Sequence, residues 1–458
     1  MDVYPPTERR TSLHGQWSSR FAFILAVAGS AVGLGNVWKF PYIAGENGGG
    51  AFVLFYLFCV SLIGLPIMMS EILIGRRGRR NPVATMRLLG QEESGTAKWA
   101  LVGQAGIVGG ILILSYYSVI AGWALAYVWE GVSGSFTGLD AGAISGIFNG
   151  ISGSATATGT WHTIFMEMTI VVVAKGVERG LEQAVRVLMP ALIGLLLVLL
   201  GYAMVAGDFA AGFDFMFAPR FSELTRDGAL IALGHAFFTL SVGMGAIMAY
   251  GAYLPDEHSI GRTSIAIVAA DTGIALLAGL VIFPIVFANG LDPAIGPGLV
   301  FQSLPLAFGH MPGGTFVAGA FFLLLTFAAW TSAISLMEPG VAWLIETVHL
   351  SRTVAAWLLG IVIWAIGFLS VLSFNLLGDV NFLRGTFFDN LDYLTANIML
   401  PLGGLAIVIF AGWVMSRNST ADEIDPHAGT GYRAWYFLAR YIAPVAVVMI
   451  FLNAIGVF

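Results

Sequence analysis

A short run of the sequence combines small residues with groups that can bind a cation. Residues 29–36 read GSAVGLGN and lie inside the apolar stretch 21–40. Glycine costs roughly 1 kcal/mol relative to alanine at each interior helix position, so three glycines and an asparagine favour an unwound backbone. In hydrocarbon such a backbone is tolerated only where it is buried in protein or lines a watery cavity. Its free carbonyls could bind a cation; the alternative is close helix–helix packing through small residues.

Further polar residues lie in apolar stretches. A charge at the centre of a membrane helix costs roughly 2.5–3.5 kcal/mol, which makes Asp271, in AIVAADTGIALLAGL, a candidate functional residue. Alternatively, Asp271 could lie near a helix end, where its charged side chain would reach the lipid headgroups. Thr331 and Ser332 are adjacent hydroxyls that could bind an ion or bond to their own helix. For Glu71 we expect structural hydrogen bonding.

No pattern in the sequence predicts an enzyme. Walker motifs, metal-ligand clusters and nucleophile–base pairs are absent from the sequence. The glycines at 29–35 follow no strand and open no βαβ unit, which argues against a dinucleotide-binding loop. The run GRRGRR at 75–80 is interpreted as a topology anchor, so no nucleic-acid partner is expected.

The composition predicts an all-α polytopic membrane protein. The 458 residues are 57% hydrophobic and 10% charged, with a mean hydropathy of +0.84, whereas a soluble protein carries about 25% charged residues. A span needs about 20 apolar residues. The eleven predicted spans are 20–45, 49–75, 98–131, 161–175, 183–206, 228–252, 260–289, 315–347, 353–373, 386–414 and 433–457.

Lys and Arg set the expected orientation in the plasma (inner) membrane. With the N-terminus in the cytoplasm, 17 of the 21 basic residues fall inside and four fall outside. The C-terminus is then extracytoplasmic. The proline- and glycine-rich outer loop at 290–314 is long enough to fold over an outer vestibule.

The sixth span carries a second interruption, SVGMG at 241–245, with the Thr239 hydroxyl nearby. We therefore predict a cytoplasmic segment at 1–19, a five-span repeat at 20–206, a second at 228–414 and an extra span at 433–457. Because five is odd, the two repeats must have opposite orientations. Inverted repeats of this kind are typical of secondary transporters that hold substrate and ions at broken helices.

Four segments resemble the neurotransmitter:sodium symporters, in their bacterial amino-acid branch. They are WSSRFAFILAVAGSAVGLGNVWKFPYIAGENGGGAF, GHAFFTLSVGMGAIMAYGAY, FAAWTSAISLMEP and KGVERGLEQAVRVLMP. The resemblance extends over nearly the whole chain and implies the leucine-transporter fold with two Na⁺ sites. The first site would use Ala31, Asn36, Thr239 and Asp271. The second would use Gly29, Val32, Ala328, Thr331 and Ser332.

The resemblance also implies a substrate pocket. Its residues would be Ser30, Ala31, Gly33, Gly35, Ile113, Tyr117, Phe238, Thr239, Ser241, Met244, Ser332 and Leu336. Tyr117 would hydrogen-bond the substrate carboxylate and Phe238 would act as a lid. Gly33 stands where monoamine transporters carry Asp, which favours an α-amino acid. Met244 is flexible and adapts to varied shapes, so we expect a large hydrophobic or aromatic L-amino acid.

Gates and chloride dependence follow from the same resemblance. Lys39 and Asp392 would close the outer side, and Trp17, Tyr253 and Glu346 the inner side. The family's N-terminal gate arginine is replaced by His14, so Arg9 or Arg10 would have to substitute.

Of the chloride-site residues of animal members, Tyr56 is kept, whereas His235 replaces Gln and Ala275 replaces Ser. Because Asp271 supplies a charge, chloride is not expected to be required.

The sequence thus predicts Na⁺-coupled amino-acid symport by alternating access. A non-transporting sensor, a channel, a carrier of small neutral amino acids, and a carrier in which a proton replaces one Na⁺ are the alternatives. The oligomeric state is left open.

Overall fold

The computed structural model describes residues 10–13, 15–294 and 298–457, which form a helical protein. His14 and Arg9, named above as gate positions, lie outside these ranges. In chain order the helices are α1 Arg20–Ala31, α2 Gly35–Glu46, α3 Gly50–Gly78, α4 Pro82–Ser94, α5 Ala97–Val132, α6 Ala141–Ser152, α7 Ala155–Ala174, α8 Val177–Ala206, α9 Phe209–Phe217, α10 Arg226–Thr239, α11 Ala246–Ala252, α12 Ile260–Ala288, α13 at 299–310, α14 Gly314–Val348, α15 Arg352–Ser373, α16 Phe387–Val414, α17 Arg417–Ile424 and α18 Thr430–Ala454.

The predicted all-α polytopic fold is confirmed. Within the described ranges, eight helices are long and apolar enough to cross a membrane, and the bent pair α1–α2 makes a ninth span. The other two predicted spans correspond to α7 and to the interrupted pair α10–α11. Eleven therefore stays a prediction for the number of spans.

The first span breaks where its glycines are. The Ser19 hydroxyl accepts a hydrogen bond from the Ala22 amide and so caps the start of α1. The helix ends at Ala31, Val32 is extended, and α2 starts at Gly35 with a bend of 54° between the two axes. The predicted unwinding of the first span is thereby confirmed.

The sixth span breaks between Thr239 and Ala246. Gly243 and Gly245 have φ angles of 90° and 77°, and Ser241 has a φ of 52°. Left-handed backbone of this kind is readily adopted by glycine and strained for other residues. The structure therefore explains why the segment reads SVGMG.

The buried Glu71 on α3 supports this second break. Its carboxylate accepts hydrogen bonds from the amides of Gly243 at 3.0 Å, Gly245 at 3.1 Å and Met248 at 3.4 Å. Carboxylates that accept backbone N–H groups make strong, charge-assisted bonds. The expected structural role of Glu71 agrees with these contacts.

The core around the breaks is built by close helix packing. α5 runs along α14, and α1 lies between α12 and α14. A Cβ on Gly131 would lie 2.8 Å from the Gly319 amide nitrogen, so glycine is needed where α5 meets α14. Small residues at such contacts let membrane helices approach closely.

Helices are present in the predicted outer loop at 290–314 and in the stretch 132–160 between the third and fourth predicted spans. α6 lies within 132–160, and α13 lies within 290–314. Tyr127 on α5 donates a hydrogen bond to the Phe301 carbonyl at 3.0 Å, and their rings pack edge to face. This contact fixes α13 against the outer half of the core.

Candidate functional site

The two helix breaks meet in the centre of the molecule. Ser241 donates a hydrogen bond to the Ser30 carbonyl at 3.1 Å, which links the sixth span to the first. The Ser332 hydroxyl on α14 lies within hydrogen-bond distance of the same carbonyl, at 3.0 Å, and of the Val32 carbonyl, at 3.2 Å, and can donate to either. The side chain of Ser30 is turned away from the breaks and donates to the Ser335 hydroxyl at 2.7 Å.

A small cavity of about 40 Å³ lies between the breaks. It is lined by Ala31, Gly33, Leu34, Gly35, Ile113, Tyr117, Phe238, Thr239, Ser241, Met244, Ser332 and Leu336. All the predicted substrate residues except Ser30 are in this set, and Leu34 is added to it. The structure thus gathers these residues around one space, and their binding role stays a prediction.

Gly33 is sterically confined within this cavity. A Cβ on Gly33 would lie 2.5 Å from the Ser332 hydroxyl and 2.8 Å from the Tyr117 hydroxyl. The Tyr117 hydroxyl in turn accepts a hydrogen bond from the Leu34 amide at 3.2 Å. A larger residue at position 33 would displace these groups.

An oxygen cluster lies on one side of the cavity. Asn36 donates to the Asp271 carboxylate at 2.8 Å and to the Asp271 carbonyl at 3.1 Å, while its own side-chain oxygen accepts from the Gly33 amide. Thr239 donates to both carboxylate oxygens of Asp271, at 3.2 and 3.3 Å. These three side chains are buried. Carboxylate, amide and hydroxyl oxygens are ligands that suit a hard cation.

A second group of oxygens lies where α1 meets α14. Thr331 donates to the Ala328 carbonyl at 3.1 Å, and Ser332 reaches the Gly29 carbonyl at 3.5 Å as well as that of Val32. A Cβ on Gly29 would lie 3.3 Å from the Thr331 Cβ, so the two helices are in close contact. The structure therefore brings together all five predicted ligands of the second ion.

A larger cavity of about 380 Å³ opens on the predicted outer side of the breaks. Five residues line both cavities, so the two spaces adjoin at Leu34, Gly35, Ile113, Tyr117 and Phe238. Lys39 and Asp392 line the outer cavity, and within the described ranges they form no ion pair. The Lys39 ammonium instead lies 4.5 Å from the centre of the Phe238 ring. A cation over an aromatic face is attracted by the ring quadrupole.

The opposite side of the breaks is closed. The buried Trp17 donates from its indole to the Tyr250 carbonyl at 3.2 Å and from its amide to the Tyr253 carbonyl at 3.1 Å. Glu346 lies nearby and accepts two hydrogen bonds from Asn81, each of 2.8 Å. One side of the breaks is thus open to a cavity and the other is sealed, which with the predicted membrane orientation corresponds to an outward-facing conformation.

The chain's similarity to known proteins agrees with this arrangement. The sequence model of the Sodium:neurotransmitter symporter family matches residues 14–139 and 144–458. The chain belongs to this family. It is 37% identical over 445 residues to the uncharacterized sodium-dependent transporter YhdH of Bacillus subtilis, covering 96% of this chain and 98% of that one. It is also 25% identical to human sodium- and chloride-dependent GABA transporter 2, over 94% of this chain and 79% of that one.

A solved structure is similar in both fold and sequence. The crystal structure of MhsT in complex with L-phenylalanine superposes with a TM-score of 0.88 at 41% identity, covering 96% of this chain and 99% of that chain. The predicted family and the leucine-transporter type of fold are confirmed. The chain is thus a sodium-coupled transporter of this family.

Sequence reasoning missed one buried cluster of this symporter. Glu338 on α14 is fully buried, accepts a hydrogen bond from Tyr253 at 3.0 Å and forms an ion pair with Arg352. Arg352 also donates to the Val173 carbonyl at 2.9 Å, which joins α15 to α7. The sequence did contain a signal for this cluster: Glu338 is an acidic residue inside the apolar eighth span, and a charge in a membrane span needs a partner.

Two of the three residues at the animal chloride position, Tyr56 and His235, lie in contact. The rings of Tyr56 and His235 lie 5.5 Å apart, and His235 stacks on Phe40 at 5.8 Å. Both ring nitrogens of the buried His235 lack a hydrogen-bond partner within the described residues. Ala275 is buried and contributes no polar group.

Arg9 and Arg10 are the two candidates to replace the family's N-terminal gate arginine, and Arg10 lies within the residues that the structure describes. It forms an ion pair with Glu92 and donates to the Arg77 carbonyl at 3.1 Å. Arg10 thus ties the N-terminal segment to α4 and to the end of α3, beside the sealed side of the breaks.

Proposed function

We propose that this protein imports a hydrophobic or aromatic L-amino acid together with Na⁺ by alternating access. The observation that carries the proposal is the cavity between the two helix breaks. Its apolar part is formed by Ile113, Met244 and Leu336, and its polar part by backbone and hydroxyl groups. An amino-acid zwitterion with an apolar side chain needs both parts at once.

The backbone around Gly33 supports an amino acid over an amine. Position 33 bears no acidic side chain, and its confinement by Ser332 and Tyr117 leaves no room for one. The start of α2 at Gly35 presents the positive end of a helix dipole, which suits a carboxylate. The substrate carboxylate would therefore lie between this helix end, the Tyr117 hydroxyl and the first Na⁺.

Two Na⁺ ions would be carried with each substrate. The first would be held by Asp271, Asn36, Thr239 and the Ala31 carbonyl, and the second by the oxygens between α1 and α14. Each charge that crosses 100 mV contributes about 2.3 kcal/mol. Because Asp271 brings a fixed negative charge next to the first ion, chloride would not be required.

The transport cycle follows from which side is open. Na⁺ would bind from the outer cavity, draw the two breaks together and complete the substrate pocket. Phe238 would then close over the substrate, and Lys39 would approach Asp392. Loss of the second ion would release α1, with Trp17 and Tyr253 separating as the inner side opens.

The N-terminus would lie in the cytoplasm and the C-terminus outside the cell, with 20–206 and 228–414 as the inverted repeats.

A carrier of small neutral amino acids is the second candidate. The cavity volume of about 40 Å³ favours it, because a space of this size leaves little room for a large side chain. A large side chain would require Phe238 and Met244 to change rotamer. Methionine makes such a change readily, since it is unbranched and flexible.

Competition binding distinguishes the two substrate classes. Purified protein would be incubated with labelled phenylalanine in Na⁺ and titrated with unlabelled amino acids from glycine to tryptophan. The proposal predicts displacement by Phe, Tyr, Trp and Leu at concentrations at least tenfold lower than by Gly or Ala. Stronger displacement by Gly or Ala would support the second candidate instead.

A further inference from the structure

A cavity of about 680 Å³ lies on the arginine-rich side of the protein, away from the helix breaks. Its walls are formed by α3, the start of α12, α17 and the start of α18. None of the predicted substrate, ion or gate residues lines it. The cavity therefore belongs to a separate site.

The lining becomes more apolar along three of these walls, away from the arginine-rich side. On α3, Arg76 lies at one end and Leu65 at the other, eleven residues or about 16 Å away at 1.5 Å per residue. On α12, Arg262 precedes Ile265, which is 57% exposed. On α18, Gly431 near the helix start precedes Leu438, about 10 Å deeper. The polar ends of all three helices lie on the same side.

The indole of Trp435 marks the level at which the polarity changes. It lines the cavity and donates a hydrogen bond to the Pro66 carbonyl at 3.2 Å. Tryptophan is enriched where the membrane meets water. We therefore expect the cavity to extend from the depth of the headgroups to the depth of the acyl chains.

Most charges at the polar end are already paired. Arg76 binds Glu423 at 2.7 Å and donates to the His258 carbonyl, and Arg79 binds Asp256. Arg262 and Glu257 both line the cavity, and neither has an ion-pair partner among the residues that the structure describes. Asp425 also lines the cavity without an ion-pair partner among these residues, but its two carboxylate oxygens accept hydrogen bonds from the backbone amides of His427 and Gly429. One cation and one anion are thus left for a ligand that carries both charges.

We propose that this cavity binds a phospholipid with a primary ammonium headgroup, of the phosphatidylethanolamine type. Arg262 would bind the phosphate, Glu257 the ammonium group, and the apolar surface of Leu65, Ile265 and Leu438 an acyl chain. A choline headgroup cannot donate hydrogen bonds to Glu257, and a glycerol headgroup brings no positive charge. The primary ammonium group therefore distinguishes the proposed lipid from phospholipids with choline or glycerol headgroups.

Such a lipid would connect the sixth span to the helices around it. Glu257 lies in the segment that follows α11. Arg79, directly after α3, donates to the carbonyls of Ala252, the last residue of α11, and of Leu254 just beyond it. A headgroup held between Glu257 and Arg262 would restrain the inner end of the sixth span. We therefore expect the bound lipid to stabilise the sealed conformation against heat.

The test is lipid binding to the purified full-length protein in detergent. Native mass spectrometry would compare dioleoyl-phosphatidylethanolamine, dioleoyl-phosphatidylcholine and dioleoyl-phosphatidylglycerol, each added at the same molar ratio. We expect the ethanolamine lipid to bind at least threefold more tightly than the other two. The variants Arg262→Ala and Glu257→Gln should each weaken its binding by about threefold, as expected for the loss of one partly exposed ion pair.

Lys98→Ala is the matched control, because Lys98 is an exposed cation on the same side and outside the cavity. It should leave lipid binding unchanged, and thermal unfolding of all variants in detergent would check that each is folded. Equal binding of the three lipids, or unchanged binding in Arg262→Ala and Glu257→Gln, would overturn the proposal. Absence of any lipid bound above the detergent background would also overturn it.

Discussion

Asp271→Asn tests the predicted first ion site most sharply. The substitution removes the negative charge and keeps a side-chain oxygen, so Asn36 can still donate its 2.8 Å hydrogen bond. Thr239 can also keep its contact, since a hydroxyl both donates and accepts. The variant should therefore fold and differ mainly in its affinity for Na⁺.

The size of the effect follows from Coulomb's law. Two unit charges about 4 Å apart attract by roughly 4 kcal/mol at an effective dielectric constant of about 20. Part of this attraction is retained because the amide oxygen still coordinates the ion. We expect a loss of about 2.8 kcal/mol, which is about a 100-fold weaker Na⁺ affinity.

Thermal unfolding of purified protein over a Na⁺ titration would measure this affinity. A ligand that binds the folded state raises its stability by RT ln(1 + [L]/Kd), so the half-saturating Na⁺ concentration can be read from the shift. Asp140→Asn is the control, because Asp140 caps α6 by accepting from the Ala143 amide, a role that Asn fills equally well. An unchanged Na⁺ titration in Asp271→Asn would refute the assignment of Asp271 as an ion ligand.

The charge of Asp271 also determines the direction in which Na⁺ affinity should change with pH. A proton on the Asp271 carboxylate removes the charge that attracts Na⁺, so lowering the pH should weaken Na⁺ binding in the unmodified protein. In Asp271→Asn this part of the pH dependence should disappear. Equal pH dependence of Na⁺ binding in the two proteins would assign it to another group.

Three further predictions follow from the described contacts. Gly33→Asp should abolish amino-acid binding, because the Cβ of the new side chain would lie 2.5 Å from the Ser332 hydroxyl. In the control Gly35→Ala, the new Cβ would contact only Phe238, at 3.5 Å, so amino-acid binding should be better preserved. Glu71→Gln should lower the free energy of unfolding by about 2–4 kcal/mol in a chemical or thermal melt. Glutamine keeps only one acceptor oxygen, so one of the three backbone amides loses its acceptor and the other two lose a charged one; an unchanged melt would contradict this. Replacing chloride by gluconate should leave uptake unchanged, and a sharp fall in uptake would show a chloride requirement.

Local composition was sufficient to predict the helix breaks. Glycine and asparagine in the middle of an apolar span are costly in a regular helix, and the break falls at Val32, within the predicted 29–36. In the sixth span, Gly243 and Gly245 adopt the left-handed backbone for which glycine is suited. Backbone preferences are short-range, so a sequence reveals them directly.

Contacts between distant helices could be predicted only through the family resemblance, or not at all. The resemblance named eleven of the residues that line the central cavity, whereas composition alone named few of them. The Glu338–Arg352 pair depends on how α14 and α15 pack, and Lys39 approaches Phe238 although the resemblance paired it with Asp392. Which of several possible partners a charge selects is decided by tertiary structure.

Gradient-driven uptake tests the central claim most directly. Proteoliposomes containing the purified protein would be loaded without Na⁺ and diluted into labelled phenylalanine with Na⁺ or with K⁺ outside. Phenylalanine should accumulate above its external concentration only with the inward Na⁺ gradient, and collapsing that gradient should release it. Saturable phenylalanine binding with no accumulation, or equal accumulation in Na⁺ and K⁺, would contradict sodium-coupled transport of this amino acid.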